Sequence, residues 1–266
     1  MASIVFSNML GDAEPSGKVQ SKHCPEDVPF VDLTEDSRTL EHLLRFIYPI
    51  ERPVLSTLIS TLRVLAAADK YMIDFVTKEV LEQFKQLAEK EPLRAYAAAF
   101  VQRNEAALNV AARACLLRPL PNVDQPAVSE QLESVTVAGY FCLRTYHLHC
   151  SVAASAVLRS HATDTSTSEK PWYAFTHDVC EMYMAGQRWW PRDWWARFVE
   201  SIAASAGATP HPRVVQMLVG RLLERGVRDQ HLNDHFDVAR ALEAFGQEAA
   251  SDVEAVISAV KLEVRF

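Results

Sequence analysis

Leu40, Leu43, Leu44 and Ile47 recur at i, i+3, i+4 and i+7, the spacing that lines up apolar side chains along one helix face. Asp36 or Ser37 can cap the start of that helix by accepting from its free N–H groups, and Pro49 and Pro53 end it. The same reading predicts a helix over 56–70, with Leu58, Leu62 and Leu65 on one side. Another follows over 74–90, where Ile73, Val76, Val80, Phe84 and Leu87 repeat at helical spacing. Pro92 suits the first position of a further helix, and Asn104 caps one that ends near Arg118. Pro119, Pro121 and Pro126 mark a loop before a long helix over 137–161, after which a Ser/Thr-rich linker occupies 163–170. The remainder reads as four or so helices, with breaks near 207–212, Gly226 and Gly246. At the start, residues 2–10 read as a short helix, and Phe30, Val31, Asp32 and Leu33 as a short strand, apolar and β-branched. The pattern predicts a mostly α chain with one weak strand and no internal repeat.

Composition agrees with the helical pattern. Alanine clusters at 66–68, 97–99 and 111–112, and alanine gives up no side-chain entropy on entering a helix. With 8 glycines in 266 residues, the chain has few positions for a fold built on tight turns or glycine-rich phosphate loops. The formal charge of −7, with no Lys/Arg-rich run, argues against nucleic acid as a direct partner, because such binding draws on basic side chains releasing counterions. Five cysteines, an odd number over a long chain, do not make a disulfide framework. Residues 1–10 have no basic n-region, and no run approaches the roughly 20 apolar residues that span a bilayer. A cytoplasmic or nuclear protein without membrane contact is expected.

Three pieces of the first 87 residues carry a family resemblance. Ala2-Ser3-Ile4-Val5-Phe6-Ser7-Asn8-Met9-Leu10 is similar to an "A-S-P-V-F-S-D-M-F" helix. Val31-Asp32-Leu33-Thr34-Glu35-Asp36-Ser37, continued by Leu43-Leu44-Arg45-Phe46-Ile47-Tyr48-Pro49, resembles "V-x-L-x-E-D … L-L-x-F-I-Y". Ala66-Ala67-Ala68-Asp69-Lys70-Tyr71 is similar to an "A-A-D-K-Y" helix end. In this order and spacing they resemble the carboxy-terminal two-thirds of a BTB/POZ domain. Beyond residue 91, Pro92-Leu93-Arg94-Ala95-Tyr96-Ala97, Tyr146-His147-Leu148-His149-Cys150 and Arg192-Asp193-Trp194-Trp195 resemble, more loosely, the helical tail of a fungal BTB group. The resemblance implies a partial BTB/POZ (α+β) remnant over 1–90 and a helical carboxy-terminal region over 91–266. It also implies a chain that begins inside the domain, since the family's first two strands and helix, with "D-V-x-L … F-x-V-H-R", have no counterpart. The family's dimer contacts involve that first helix, which puts the usual dimerisation of this chain in question. By resemblance, the function is non-enzymatic protein–protein contact, through self-association or recruitment of partners such as cullin-type ubiquitin ligases or transcriptional co-regulators.

The chemistry-bearing residues are few. His147 and Cys150, then His177 and Cys180, form two i, i+3 pairs with zinc-ligand character, although the gap between pairs exceeds that of a usual finger. The alternative to an interaction module is therefore a metal-stabilised helical module using these four, while half-buried core residues are the expected role. Trp189, Trp190, Trp194 and Trp195 crowd around Pro191, and packing beneath a neighbouring helix, each indole N–H finding an acceptor, is expected over an exposed contact. Glu35, Asp36 and Asp69 read as structural carboxylates at helix ends. A nucleophile elbow, a phosphate loop, a dinucleotide fingerprint and a zinc-protease helix are all missing. No catalytic, cofactor-binding or metal residue is assigned, and no cofactor is expected.

Overall fold

Asp36 opens the second helix. Its backbone is extended, and its carboxylate accepts both the Thr39 amide and the Thr39 hydroxyl at 2.9 Å. That bond satisfies an N–H with no intrahelical partner. The computed structural model describes residues 3–11, 32–121, 126–163, 170–176, 182–184, 187–189, 191–224, 237–264 and 266. The chain divides into two compact units, Met1–Ala111 and Ala112–Phe266.

The first unit holds α1 (Ile4–Gly11), α2 (Ser37–Ile47), α3 (Leu58–Lys70), α4 (Asp74–Lys90) and α5 (Pro92–Val101). α6 (Glu105–Cys115) begins in it and ends in the second. Asn104 caps α6 as the pattern predicts, its Oδ1 accepting the Ala107 amide at 2.9 Å. α4 buries Val76, Val80, Phe84 and Ala88, and Ile73 just before it is also buried. On α2 the face is turned from the expected one: Thr39, Leu43 and Phe46 are buried while Leu44 is 42% exposed. Both faces are helical and share Leu43. Packing on α3 and α4 selects the one that carries the aromatic ring.

Two helix ends use the left-handed conformation without glycine. After α3, Met72 has φ 52°, its N–H donates to Asp69 O at 3.1 Å, and Ile73 N–H donates to Ala68 O at 2.9 Å. After α5, Arg103 has φ 50°, with Arg103 N–H on Phe100 O at 3.1 Å and Asn104 N–H on Ala99 O at 3.2 Å. Each is the paired-bond ending in which glycine is usual, occupied here by a residue with a Cβ.

Helix α5 buries Ala95, Tyr96, Ala99 and Phe100 and packs on α3 and α4, so it belongs to the first compact unit, which runs to residue 111. Of the expected strand, Phe30 and Val31 lie outside the described residues, and Asp32 and Leu33 take no regular structure.

The second unit contains α7 (Pro126–Gln131), α8 (Val137–Thr163), α9 (Tyr173–Thr176), β1 (Met182–Met184), β2 (Gln187–Trp189), α10 (Pro191–Ala208), α11 (Pro212–Glu224) and α12 (Val238–Ala259). α8 packs against α10 and α12, and α11 against α12. Along α8, Leu143, Cys150, Ala154 and Leu158 are buried. α8 and α10 also meet through small residues. Ser155 Oγ donates to Ala203 O at 2.9 Å, and a Cβ added at Gly207 would lie 3.2 Å from that Oγ. Gly246, read from sequence as a break, sits within α12, where a Cβ would lie 3.3 Å from both Val219 methyls on α11. Its missing side chain permits close helix packing instead of ending a helix. β1 and β2 pair antiparallel, Met182 opposite Trp189 and Met184 opposite Gln187, in a stretch read as helical. Gly226 lies outside the described residues.

Candidate functional site

In the first unit, the three motif pieces meet around Tyr71, the C-cap of α3. Ser3 Oγ donates to Tyr71 O at 2.7 Å, and the Phe6 ring stacks on the Tyr71 ring at 4.4 Å between centroids. From the segment before α2, Glu35 accepts the Tyr71 hydroxyl through Oε2 and the Lys70 ammonium through Oε1, the latter at 2.7 Å. Lys70 Nζ also donates to Thr34 Oγ1 at 2.7 Å. The Glu35 side chain is only 12% exposed, and that of Lys70 is 47% exposed. Burial pushes the Glu35 carboxyl up, but hydrogen bonds from Lys70, Tyr71 and its own backbone, with the Lys70 charge, outweigh it and bring the pKa down to about 2. The Tyr71 hydroxyl is raised by burial and by the Glu35 charge. The junction is thus an ionised, hydrogen-bonded lock. Asp36 caps α2, whereas Glu35, expected as a carboxylate at a helix end, ties its segment to the end of α3.

Of the four candidate zinc ligands, His177 and Cys180 lie outside the described residues. His147 and Cys150 lie on α8, both buried. Burial lowers the His147 pKa, an effect opposed by the Arg118 backbone, and among the described residues its Nε2 has no partner at hydrogen-bond geometry. Its Nδ1 is 3.4 Å from Ser151 Oγ. Burial pushes the Cys150 thiol up to about 11 despite Tyr146 and Arg113, and the Cys115 thiol to about 12. In the metal-free chain a thiol this high is protonated at pH 7 and packs as a small neutral group.

Trp194 and Trp195 are buried, as the packing role requires; Trp190 and the Trp189 side chain lie outside the description. Trp195 stacks on Phe175 at 5.2 Å and meets Phe245 edge-on at 4.7 Å. Its indole Nε1–H donates to His161 O at 3.2 Å. That carbonyl belongs to the last turn of α8, where carbonyls lack intrahelical partners, so the tryptophan supplies the missing donor.

Beside this aromatic cluster lies a group that sequence reasoning missed. Ligand-type atoms of His161, Glu248 and Asp252 all fall within 4.8 Å of one another. His161 Nε2 is 3.1 Å from Asp252 Oδ2, and Lys170 Nζ donates to Glu248 Oε1. The Lys170 ammonium also lies 5.5 Å from the Trp172 ring centroid. The two carboxylates already have an imidazole and an ammonium as partners, so the group works as a polar clasp from α8 to α12. The available signal was Glu248 and Asp252 at i, i+4 on one helix face.

Apolar side chains are also left in water. In the first unit, Tyr48, Ile50, Val54 and Ile59 are exposed along with Leu44. In the second, Val137, Phe141, Leu148 and Val152 are exposed along α8. No described helix is long and apolar enough to cross a membrane. Comparison of the chain with protein-family models, with curated proteins and with solved structures finds no match.

Proposed function

We propose that the chain is a non-enzymatic protein–protein interaction module whose first unit is of the BTB/POZ kind. The observation that carries this reading is the meeting of the three resembling segments at one place: Ser3 and Phe6, Glu35, and Lys70 all engage Tyr71 or its neighbour. Segments tens of residues apart in sequence, chosen for their resemblance alone, contribute to one lock. The exposed Leu44, Tyr48, Val54 and Ile59 supply apolar surface for contact. The buried, neutral Cys115 and Cys150 offer no activated nucleophile. Partners of the kind the resemblance implies are a second copy or a cullin-type ligase.

Sedimentation velocity on the purified chain over a range of concentrations, alone and with a cullin amino-terminal region, tests the proposal. The expected result is a self-associated or cullin-bound species that a Leu44→Glu, Ile59→Glu double variant weakens. A monomer at every concentration, unchanged by cullin, would count against it.

A further inference from the structure

α8 carries its apolar side chains on two sides. Leu143, Cys150, Ala154 and Leu158 face the core, but Val137, Phe141, Leu148 and Val152 are 88%, 67%, 58% and 62% exposed. At about 100° per residue these four fall within about 60° of one another, a narrow stripe some four turns and about 22 Å long. Single exposed apolar residues are ordinary, whereas four on one line make a contact face. Arg144 lies on the same line, is exposed, and has no hydrogen-bond or ion-pair partner among the described residues. Arg159, further along, is already held by Glu200 at 2.8 and 2.9 Å.

We infer that this stripe seats an amphipathic helix of a partner protein bearing a carboxylate opposite Arg144; the inference rests on the interaction reading and names the chemistry of one partner. Charge decides between occupants. Covering the stripe desolvates Arg144, which is unfavourable unless an anion meets it. A second copy of the stripe brings none, because α8 contains no Asp or Glu along its 27 residues. Arg144 also sits near the midpoint between Phe141 and Leu148, so two-fold antiparallel pairing of two stripes would set the two guanidiniums against each other. A lipid surface fits poorly as well, since interfacial helices carry many Lys and Arg, and here Arg144 is the one cation on the stripe, in a chain of net charge −7. An acidic amphipathic helix satisfies both the apolar line and the cation.

The test uses the full chain and a fluorescent, stapled 16-residue helix with Leu at its first, fifth, twelfth and sixteenth positions and Glu at its eighth. A control peptide has Lys at the eighth. Fluorescence anisotropy is expected to show the Glu peptide binding about fivefold more tightly than the Lys peptide. Arg144→Glu should reverse that order, and Leu148→Asp should abolish binding of both, with circular dichroism unchanged. No binding, binding indifferent to the eighth residue, or binding that survives Leu148→Asp would overturn the inference. So would self-association, or flotation with phosphatidylcholine/phosphatidylserine vesicles, that Leu148→Asp removes, since either gives the stripe to another occupant. If these peptide experiments fail while sedimentation still shows self-association or cullin binding sensitive to Leu44 and Ile59, the inference falls and the interaction reading stays.

Discussion

Glu35→Gln removes one charge from the lock at Tyr71 while keeping its shape. In the folded chain the Glu35 carboxyl titrates at about 2, against an ordinary value of 4.5. A difference of that size corresponds to about 3 kcal/mol of preference for the ionised form. Lys70 is half exposed and screened by water and salt, so about 2 kcal/mol is the expected contribution to stability. A carboxylate depressed on folding stabilises fully above its unfolded pKa and loses that contribution as the pH falls through its folded pKa. The wild type should therefore exceed Glu35→Gln by about 2 kcal/mol at pH 7. The gap should close progressively between about pH 4.5 and about pH 2. Urea denaturation followed by far-UV circular dichroism at several pH values measures this. Tryptophan fluorescence does not serve, because all five tryptophans fall in the second unit. A gap that stays constant from about pH 7 to about pH 3, or one below about 0.5 kcal/mol at pH 7, would refute the charge-based account of this junction.

The other predictions concern packing, backbone and metal. Met72→Gly should stabilise the first unit by about 0.5–1 kcal/mol, read from urea midpoints, because relief of the left-handed strain exceeds the entropy that glycine adds to the unfolded chain. Gly246→Leu should cost about 1–3 kcal/mol through collision with the stiff Val219 side chain, whereas Gly246→Ala should be nearly neutral, since better helix propensity offsets a contact tight by a few tenths of an ångström. Trp195→Ala should lower stability by about 3–5 kcal/mol, and Trp195→Phe by less but measurably, because it leaves the His161 carbonyl without its donor. Protein purified without added metal is expected to hold no stoichiometric zinc by elemental analysis; near-stoichiometric zinc lost in Cys150→Ala would reverse that expectation.

The elements most legible in the sequence are those whose signals are local. α4 and α5 begin where Asp74 and Pro92 direct, because the acidic first turn and the proline's fixed φ act on their own helix ends. α2 shows where locality stops. Leu40, Leu43, Leu44 and Ile47 make one helical face and Thr39, Leu43 and Phe46 another, so periodicity alone cannot choose between them. The helices packed against α2 do. Glycine misled in both directions: Gly246 looks like a break yet lets α11 approach, while Met72 and Arg103 end helices without the usual residue.

The Tyr71 lock and the His161 clasp lie at the far end of that scale, because each joins residues that no short window along the chain contains together. Glu35 and Tyr71 are separated by 36 positions and His161 and Asp252 by 91. Burial accounts for the agreement at Trp194 and Trp195, the two of the four whose side chains are described. An indole is too large and too apolar to be left in water without cause, yet its N–H must keep a partner, so packing with an acceptor follows from the residue type alone. What the residue type cannot give is which acceptor, and here it is a carbonyl that the end of α8 leaves open. The same reasoning run in reverse gives the α8 stripe its weight. Val137, Phe141, Leu148 and Val152 are residues that ordinary folding would bury, and the described chain does not bury them. The core face of α8 is already supplied by Leu143, Cys150, Ala154 and Leu158, which leaves the second line for the contact inferred above.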